Sequence, residues 1–289
     1  MTSATRQPET PAAALPPRLI ATDLDGTLLR DDKSVSERTV AALAAAEEAG
    51  IEVFFVTGRP ARWMDVVSDH VHGHGLAICG NGAAVVDLHG GPGAHRFVKV
   101  RELARENALD AVRLLREAAP GTVFAVEQTY GFYQEPAYPK LHMETPDTLA
   151  PAEQLLAPDA PGAGEPVLKI LAFHHELDPD AFLTVARRAV GDRATITRSS
   201  PSALLEISGP GVSKASTLEL CCAERGISPE EVVAFGDMPN DVEMLTWAGT
   251  SYAMGNAHPA VIAAASGRTV ANNEDGVAVV IEKILAERL

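Results

Sequence analysis

Positive charge is in short supply in this chain. Its 24 lysines and arginines face 39 aspartates and glutamates, a formal net charge of −15 over 289 residues. That balance argues against nonspecific binding to nucleic acid or to an anionic membrane surface. An anionic substrate would have to be drawn by a local positive site, such as a metal ion. Cysteine is scarce too, with only Cys79, Cys221 and Cys222. Three residues without a framework spacing exclude a disulfide scaffold and imply reduced thiols in a cytoplasmic protein. No apolar run reaches the roughly 18 residues of a membrane span. Residues 1–17, rich in Pro, Ala, Thr and Ser, lack the apolar run of a signal peptide and read as a disordered tail. Internal repeats are absent, as are low-complexity tracts beyond that tail.

What remains is ordinary globular material: 46% apolar and 22% charged residues, enough for a sizeable core in one large domain or two smaller ones. The chain is organised around Arg18-Leu-Ile-Ala-Thr-Asp-Leu-Asp-Gly-Thr-Leu-Leu29. Its short apolar opening, Leu19 to Ala21, reads as a buried strand. The strand delivers Asp23 and Asp25 at its C-terminal end, where open α/β sheets bind ligands. Residues two apart share a strand face, so both carboxylates face one site if extended geometry lasts that far. Carboxylates this close repel, and either a proton or a cation must relieve them. Gly26 supplies a tight turn or a close backbone approach. Taken alone, the Asp-Gly pair is equally a capped turn.

Further strand ends repeat the pattern. Ser36–Gly50 reads as a capped helix and Ile51–Val56 as a second buried strand, which makes a β-α-β unit with a right-handed crossover. That strand ends in Thr57-Gly58-Arg59-Pro60, a hydroxyl, a glycine and an arginine suited to gripping phosphate at a helix start. A helix is expected over 61–71. The histidines at 70, 72 and 74 are not read as a metal site, because no acid or cysteine cluster accompanies them. Leu76–Cys79 ends at Gly80-Asn81-Gly82-Ala83, a hairpin-type turn before a strand at Ala84–Leu88. From about residue 90 an α+β insert is expected, with strands at Phe97–Val100, Thr122–Glu127, Tyr130–Gln134, Val167–His174, Ala194–Thr197 and Ala203–Ile207. Its helices are expected at Leu103–Ala118 and Pro179–Val190. The α/β rhythm returns near Gly211. Ser213 caps a helix with Lys214 in its first turn, a poor place for a lysine unless it binds an anion. Val232–Phe235 runs into Gly236-Asp237-Met-Pro-Asn240-Asp241. Ser251–Met254 and Thr269–Ala271 read as further strands, and Gly276–Leu289 as a closing helix.

In a parallel sheet all carboxyl ends lie on one edge, so Asp23, Asp25, Thr57, Arg59, Asn81, Asp237 and Asp241 converge, and Lys214 joins from its helix start. The chemistry this suits is phosphoryl transfer. Carboxylates from two strand ends hold a hard cation, Mg²⁺ being the natural one, while one aspartate attacks phosphorus and another moves protons. In this order the motifs Asp23-Leu-Asp25-Gly-Thr27, Thr57-Gly58-Arg59, Lys214 and Gly236-Asp237-Met-Pro-Asn240-Asp241 resemble those of the haloacid dehalogenase (HAD) superfamily of phosphatases. Gly80-Asn81-Gly82-Ala83, Gly255-Asn256-Ala257 and Asn273-Glu274-Asp275-Gly276, with the large insert, resemble its Cof-type branch with a C2 (class IIB) cap.

That resemblance implies a Rossmann-like parallel-sheet core over residues 18–85 and 206–289 and an α+β cap over 86–205. It implies that Asp23 is the nucleophile and a Mg²⁺ ligand. Asp25 becomes the general acid/base, bound to the metal through its carbonyl. Asp237 is the remaining protein ligand, and Asp241 supports the metal or orients Lys214. Thr57, Gly58, Lys214 and the Gly26 N–H hold phosphate, Asn240 touches it, and Arg59 and Asn81 face the substrate. Where the branch often has Gly after the motif lysine, this chain has Ala215, a change at the helix start rather than in the site. The implied activity is Mg²⁺-dependent hydrolysis of a small phosphorylated metabolite, either a sugar phosphate or a cofactor-like ester. A phosphomutase or phosphotransferase using the same nucleophile, or a noncatalytic phospho-ligand binder, are the alternatives. In the cap, Tyr138, Lys140, His142 and Arg198 are candidate substrate contacts.

Overall fold

The computed structural model describes residues 15–68, 75–140 and 145–288. In chain order the strands are β1 (Leu19–Thr22), β2 (Glu52–Val56), β3 (Leu76–Cys79), β4 (Ala84–Asp87), β5 (Arg96–Val100), β6 (Val123–Gln128) and β7 (Phe132–Gln134). They continue with β8 (Thr148–Leu149), β9 (Val167–Phe173), β10 (Thr195–Thr197), β11 (Leu204–Ser208), β12 (Val232–Gly236), β13 (Thr250–Ala253) and β14 (Gly267–Arg268). They form two sheets. One has the order β14-β13-β12-β1-β2-β3-β4-β5, the other β10-β11-β9-β6-β7-β8.

The larger sheet is parallel from β14 to β3 and turns antiparallel at β4 and β5. Its central strands are buried on both faces, which is why they read as unbroken apolar runs. Ile20, Val53 and Phe55 pack to one side with Leu43 and Ala46 of the helix Glu37–Glu48 and with Ile281 of the helix Gly276–Ala286. Leu19, Ala21, Phe54 and Val56 pack to the other, with Leu218 of the helix Lys214–Glu224 and Met244. The Ser36 hydroxyl accepts the Thr39 N–H at 3.0 Å, and Ser213 and Ser216 form a reciprocal capping box.

The smaller sheet is covered on one face by the helices Arg105–Ala118 and Pro179–Val190. Strict alternation drives this: Phe124, Val126, Ile170, Ala172, Leu205 and Ile207 point into that core. The opposite face turns toward the carboxyl edge of the larger sheet. The chain leaves the larger sheet after β5 and returns before the helix Lys214–Glu224, and the two connections touch. Arg101 donates to Ser216 Oγ and Thr217 Oγ1, at 2.7 Å each, and to the Gly211 carbonyl at 3.2 Å. A Cβ on Gly209 would lie 2.7 Å from the Glu102 carbonyl oxygen.

Three sequence expectations change. The strand at Phe97–Val100, expected in the insert, pairs antiparallel with β4 at the edge of the larger sheet, because a hairpin returns the chain alongside β4. The last strand is Gly267–Arg268 rather than Thr269–Ala271: the Thr269 N–H and the Val270 carbonyl still bond to Ala253 and Gly255, but past the end of the ladder. Within the described part of the helix expected over 61–71, Ala61–Trp63 is a separate 3₁₀ turn before the helical Asp65–Ser68; residues 69–71 lie outside the described residues. The three histidines, His142 and residues 1–14 of the expected tail lie outside the described residues. No helix among the described residues is long and apolar enough to cross a membrane.

Candidate active site

Strands β12, β1, β2 and β3 are neighbours in that order, so their carboxyl ends form one continuous edge. Strand β1 ends at Thr22, before either aspartate. Extended geometry therefore does not carry through Asp25, yet both carboxylates line one cleft of about 670 Å³ between the two sheets. Gly26 turns the chain there with φ +77°, and a Cβ on it would sit 2.3 Å from Asp237 Oδ2. Only glycine lets the β1 loop pass this close to the β12 carboxylate.

Asp23 is buried, and its Oδ1 lies 2.7 Å from Lys214 Nζ. The same ammonium bonds Asp241 Oδ1 at 2.6 Å. Asp241 Oδ2 in turn accepts the backbone N–H groups of Asp237 and Met238, at 3.0 Å each. Asp237 Oδ1 accepts the Thr27 hydroxyl at 2.8 Å. Lys214 is 1% exposed, and its place in the first helical turn is explained by these two carboxylates. A Cβ on Gly82, at φ +103°, would meet the Ser213 carbonyl at 2.2 Å, so the β3–β4 turn lets the lysine-bearing helix seat itself.

Three carboxylates and one ammonium leave the cluster short of positive charge. Burial pushes the Asp23 carboxyl well above its ordinary range; Lys214 opposes this, while Asp241 and Asp237 add to it. Burial, reinforced by Asp241, pushes Asp237 up to about 7. Burial disfavours the Lys214 ammonium, but Asp23 and Asp241 outweigh it and raise its pKa. Oxygen atoms of Asp23, Asp237 and Asp241 lie within 4.8 Å of one another. An all-oxygen donor set in which Asp23 and Asp237 resist ionising together fits a hard divalent cation.

Asp25 behaves differently. Arg59 grips it with two hydrogen bonds, 2.6 Å from Nε and 2.7 Å from Nη2, and Lys33 adds one at 2.8 Å. Burial works against ionisation, but the Arg59 and Lys33 hydrogen bonds prevail and hold the Asp25 pKa at about 2. Arg59 thus meets Asp25 first, rather than standing free toward a ligand. The Thr57 hydroxyl accepts the Arg59 N–H at 3.1 Å, which leaves its own proton to donate into the cleft. Asn240 donates to Asn81 Oδ1 at 2.9 Å, joining the ends of β12 and β3. Asn81 holds φ +56°, a left-handed conformation that asparagine tolerates.

Of the insert candidates, Tyr138 and Lys140 line the cleft. Arg198 does not: it donates to Asp180 Oδ1 at 2.6 Å and to the Ser200 carbonyl at 2.9 Å. Sequence reading missed the open face of the smaller sheet. Glu127, Lys169 and Glu206 project from it, each nearly fully buried. Lys169 pairs with Glu206 and donates to the Gly58 carbonyl at 2.8 Å, tying the insert to the β2 loop. Burial opposes Glu206 ionisation, but the Lys169 charge overcomes it and lowers its pKa. Glu127 pairs with Arg62. The usable signal was one charge inside each apolar strand, Val-Leu-Lys169-Ile-Leu and Leu-Leu-Glu206-Ile.

A family model for haloacid dehalogenase-like hydrolase matches residues 20–281. The 5-amino-6-(5-phospho-D-ribitylamino)uracil phosphatase YitU of Bacillus subtilis (strain 168) is 31% identical over 273 residues, covering 91% of this chain and 95% of that protein. Pyridoxal phosphate phosphatase YbhA of Escherichia coli (strain K12) is 29% identical over 266 residues, covering 90% of this chain and 96% of that protein. A solved haloacid dehalogenase-like hydrolase from B. subtilis has a TM-score of 0.77 at 25% identity, covering 92% of this chain and 99% of its own. Strand-end residues, sheet order and relatives lead to one conclusion: the chain belongs to the haloacid dehalogenase-like hydrolase family, in its Cof-type phosphatase branch.

Proposed function

We propose that the chain is a Mg²⁺-dependent phosphatase that hydrolyses a small phosphate monoester through an aspartyl-phosphate on Asp23. The observation that carries this is the buried cluster in which Lys214 bridges Asp23 and Asp241 beside Asp237. Asp23, Asp237 and the Asp25 carbonyl would hold the cation. When bound, it supplies positive charge that offsets the carboxylates and draws phosphoryl oxygens into place. Asp241 has both oxygens engaged, and its role is to position Lys214.

Lys214 occupies Asp23 Oδ1, leaving Oδ2 to attack phosphorus. The Thr57 hydroxyl, the loop N–H groups and Lys214 orient the phosphoryl oxygens. As the Asp23–phosphorus bond forms, the ester P–O bond breaks and the departing oxygen takes a proton from Asp25. Water then attacks the phosphoryl group and yields its proton to Asp25, and the Asp23–phosphorus bond breaks to release inorganic phosphate. A carboxyl held at about 2 is a poor acid near neutral pH, so Asp25 enters the reaction by leaving Arg59 and Lys33. The insert lies over the cleft as a cap, with Lys169 fastened to the phosphate loop, and limits water access.

The test is phosphate release from a panel of esters with Mg²⁺ or with EDTA, for wild type and Asp23→Asn. Turnover that requires both Mg²⁺ and Asp23 is expected. Turnover by Asp23→Asn at the wild-type rate refutes the nucleophile, and an isomerised ester without free phosphate puts a phosphotransferase in place of the hydrolase.

A further inference from the structure

Gly255-Asn256-Ala257 and Asn273-Glu274-Asp275-Gly276 lie outside the carboxylate cluster, yet the first of them touches both loops that carry it. Asn256 Nδ2 donates to the Gly26 carbonyl at 2.8 Å. Two residues on, the His258 backbone N–H donates to the Asp237 carbonyl at 2.8 Å. The short loop after β13 thus braces two arms at once: the β1 arm through a side chain and the β12 arm through the backbone. A second tie joins the same arms directly, the Thr27 hydroxyl on Asp237 Oδ1.

The Asn256 carboxamide is itself held. Its Oδ1 accepts the Asn272 N–H at 3.1 Å. An N–H only donates and a carbonyl only accepts, so the two partners fix which end of the amide faces which way. Asn272 is 3% exposed and donates to the Leu29 carbonyl at 2.9 Å and to Asp31 Oδ1 at 3.0 Å. Asn273 clamps Asp31 from its other side, giving a bond to Oδ2 at 2.7 Å and accepting the Asp31 N–H at 3.0 Å. A Cβ on Gly255 would lie 2.7 Å from the Ala271 nitrogen, so the loops after β13 and β14 form one frame.

Asn256 joins that frame to a sensitive place. The Thr27 N–H bonds the Leu24 carbonyl at 3.2 Å, and Gly26, at φ +77°, is the third residue of the turn so closed. Asp25 keeps a negative φ, which makes it a type II turn. The Thr27 N–H on Leu24 and the Gly26 carbonyl on Asn256 are the two ends of one peptide. The preceding peptide carries the Asp25 carbonyl and the Gly26 N–H. Glycine is the residue least able to hold such a peptide by itself. Asn256 is exposed, so water readily replaces its bond and the bond adds little to fold stability. Water does not fix a distance, and Asn256 does.

Resting on the proposed Mg²⁺ reading of the cluster, we propose that Asn256 is a positioning residue: through the Gly26 carbonyl it fixes the span between the β1 and β12 arms, and with it the size of cation that Asp23, Asp237 and the Asp25 carbonyl accept. Mg²⁺ demands near-octahedral oxygens at about 2.1 Å, whereas Ca²⁺ takes irregular ones at about 2.4 Å. A relaxed span therefore costs Mg²⁺ more than Ca²⁺.

The experiment is calorimetry of Mg²⁺ and of Ca²⁺ binding, with metal-free thermal midpoints, for wild type and variants. Losing the alignment that one hydrogen bond supplies is expected to weaken Mg²⁺ binding by Asn256→Ala about fivefold and Ca²⁺ binding by less than about twofold. Asn256→Asp keeps the acceptor for Asn272 and loses only the donor to Gly26. Its added charge acts on both divalent ions alike, so the same fall in Mg²⁺:Ca²⁺ preference is expected. Asn273→Ala cuts a tie to Asp31 but none to Gly26, and is expected to lower the midpoint and leave the preference unchanged. A wild-type preference in folded Asn256→Ala and Asn256→Asp overturns the proposal, as does an equal loss of preference in Asn273→Ala. Wild type that binds neither ion, or Mg²⁺ binding that Asp237→Asn leaves intact, refutes the cation reading itself and the positioning role with it. Binding that Asp237→Asn abolishes, with a preference indifferent to Asn256, refutes the positioning role alone.

Discussion

Lys214→Met is the most informative perturbation of the site. The ammonium is 1% exposed and contacts Asp23 at 2.7 Å and Asp241 at 2.6 Å. Methionine fills much of the same volume but leaves both carboxylates without their counter-charge. Removing one partner of a buried ion pair costs about 3–5 kcal/mol. For a chain of this size 1 kcal/mol moves the midpoint by about 2 °C, so a fall of about 6–10 °C is expected at pH 8 without metal. The sign of the pH dependence follows from the pKa directions. The raised Lys214 pKa means that its own titration contributes fully below the unfolded lysine value and is lost only as pH rises past the folded one, so the lysine's charge does not vary between pH 5 and 9. The acids set the slope. Burial already raises Asp23, and losing Lys214 raises it further, so the deficit is expected to shrink as the pH falls and Asp23 takes up a proton. Thermal unfolding of wild type and variant at pH 5.5 and 8 reads the difference directly. A deficit below about 1 kcal/mol, or one equal at both pH values, refutes the account of a charge-starved cluster.

Other perturbations test neighbouring parts of the argument. Mg²⁺ at 100 times its dissociation constant is expected to stabilise the fold by about 3 kcal/mol, seen as a rise in thermal midpoint that Asp237→Asn abolishes. Because Asp237 sits near 7, Mg²⁺ affinity is expected to weaken about tenfold per pH unit below that value, with about one proton released per ion in calorimetry across buffers of different ionisation enthalpy. Gly26→Ala places a Cβ 2.3 Å from Asp237 Oδ2 at φ +77°. It is expected to cost about 1–2 kcal/mol for the left-handed conformation alone and to remove the Mg²⁺-dependent midpoint shift. Gly82→Ala, with its Cβ 2.2 Å from the Ser213 carbonyl, is expected to destabilise without changing that shift's pH dependence.

The clustering of the candidate site residues at the carboxyl edge was legible in the sequence because each of its pieces is local. A buried strand followed at once by Asp23, Thr57, Asn81 or Asp237 is visible within ten residues, and parallel topology brings the ends together. Pairings between loops were not legible. Arg59 reads as a phosphate or substrate contact, but nothing in its neighbourhood foretells that it will clamp Asp25. The insert was harder still. Lys169 and Glu206 each look like a stray charge in an apolar strand, and only the register of β9 against β11 and the packing of that sheet over Gly58 give them a common purpose. Strand β5 misled for a related reason, since whether a strand after a glycine-rich turn returns to its neighbour or begins a new layer is decided by pairing partners far away in the chain.

The contact between the two connections has an evolutionary consequence. Every strand of the larger sheet lies before Arg101 or after Gly211, and the two crossing points meet where Gly209 abuts Glu102 and Arg101 holds Gly211. Excising the chain from Leu103 to Ser208 would leave ends close enough to rejoin through a short turn, with the aspartates, Thr57 and Lys214 still carried by their own strands and helix. Genetic exchange at these two seams would replace the smaller sheet and its helices without disturbing the cluster of Asp23, Asp237, Asp241 and Lys214. A lineage could in this way remake one wall of the cleft by recombination as readily as by point substitution.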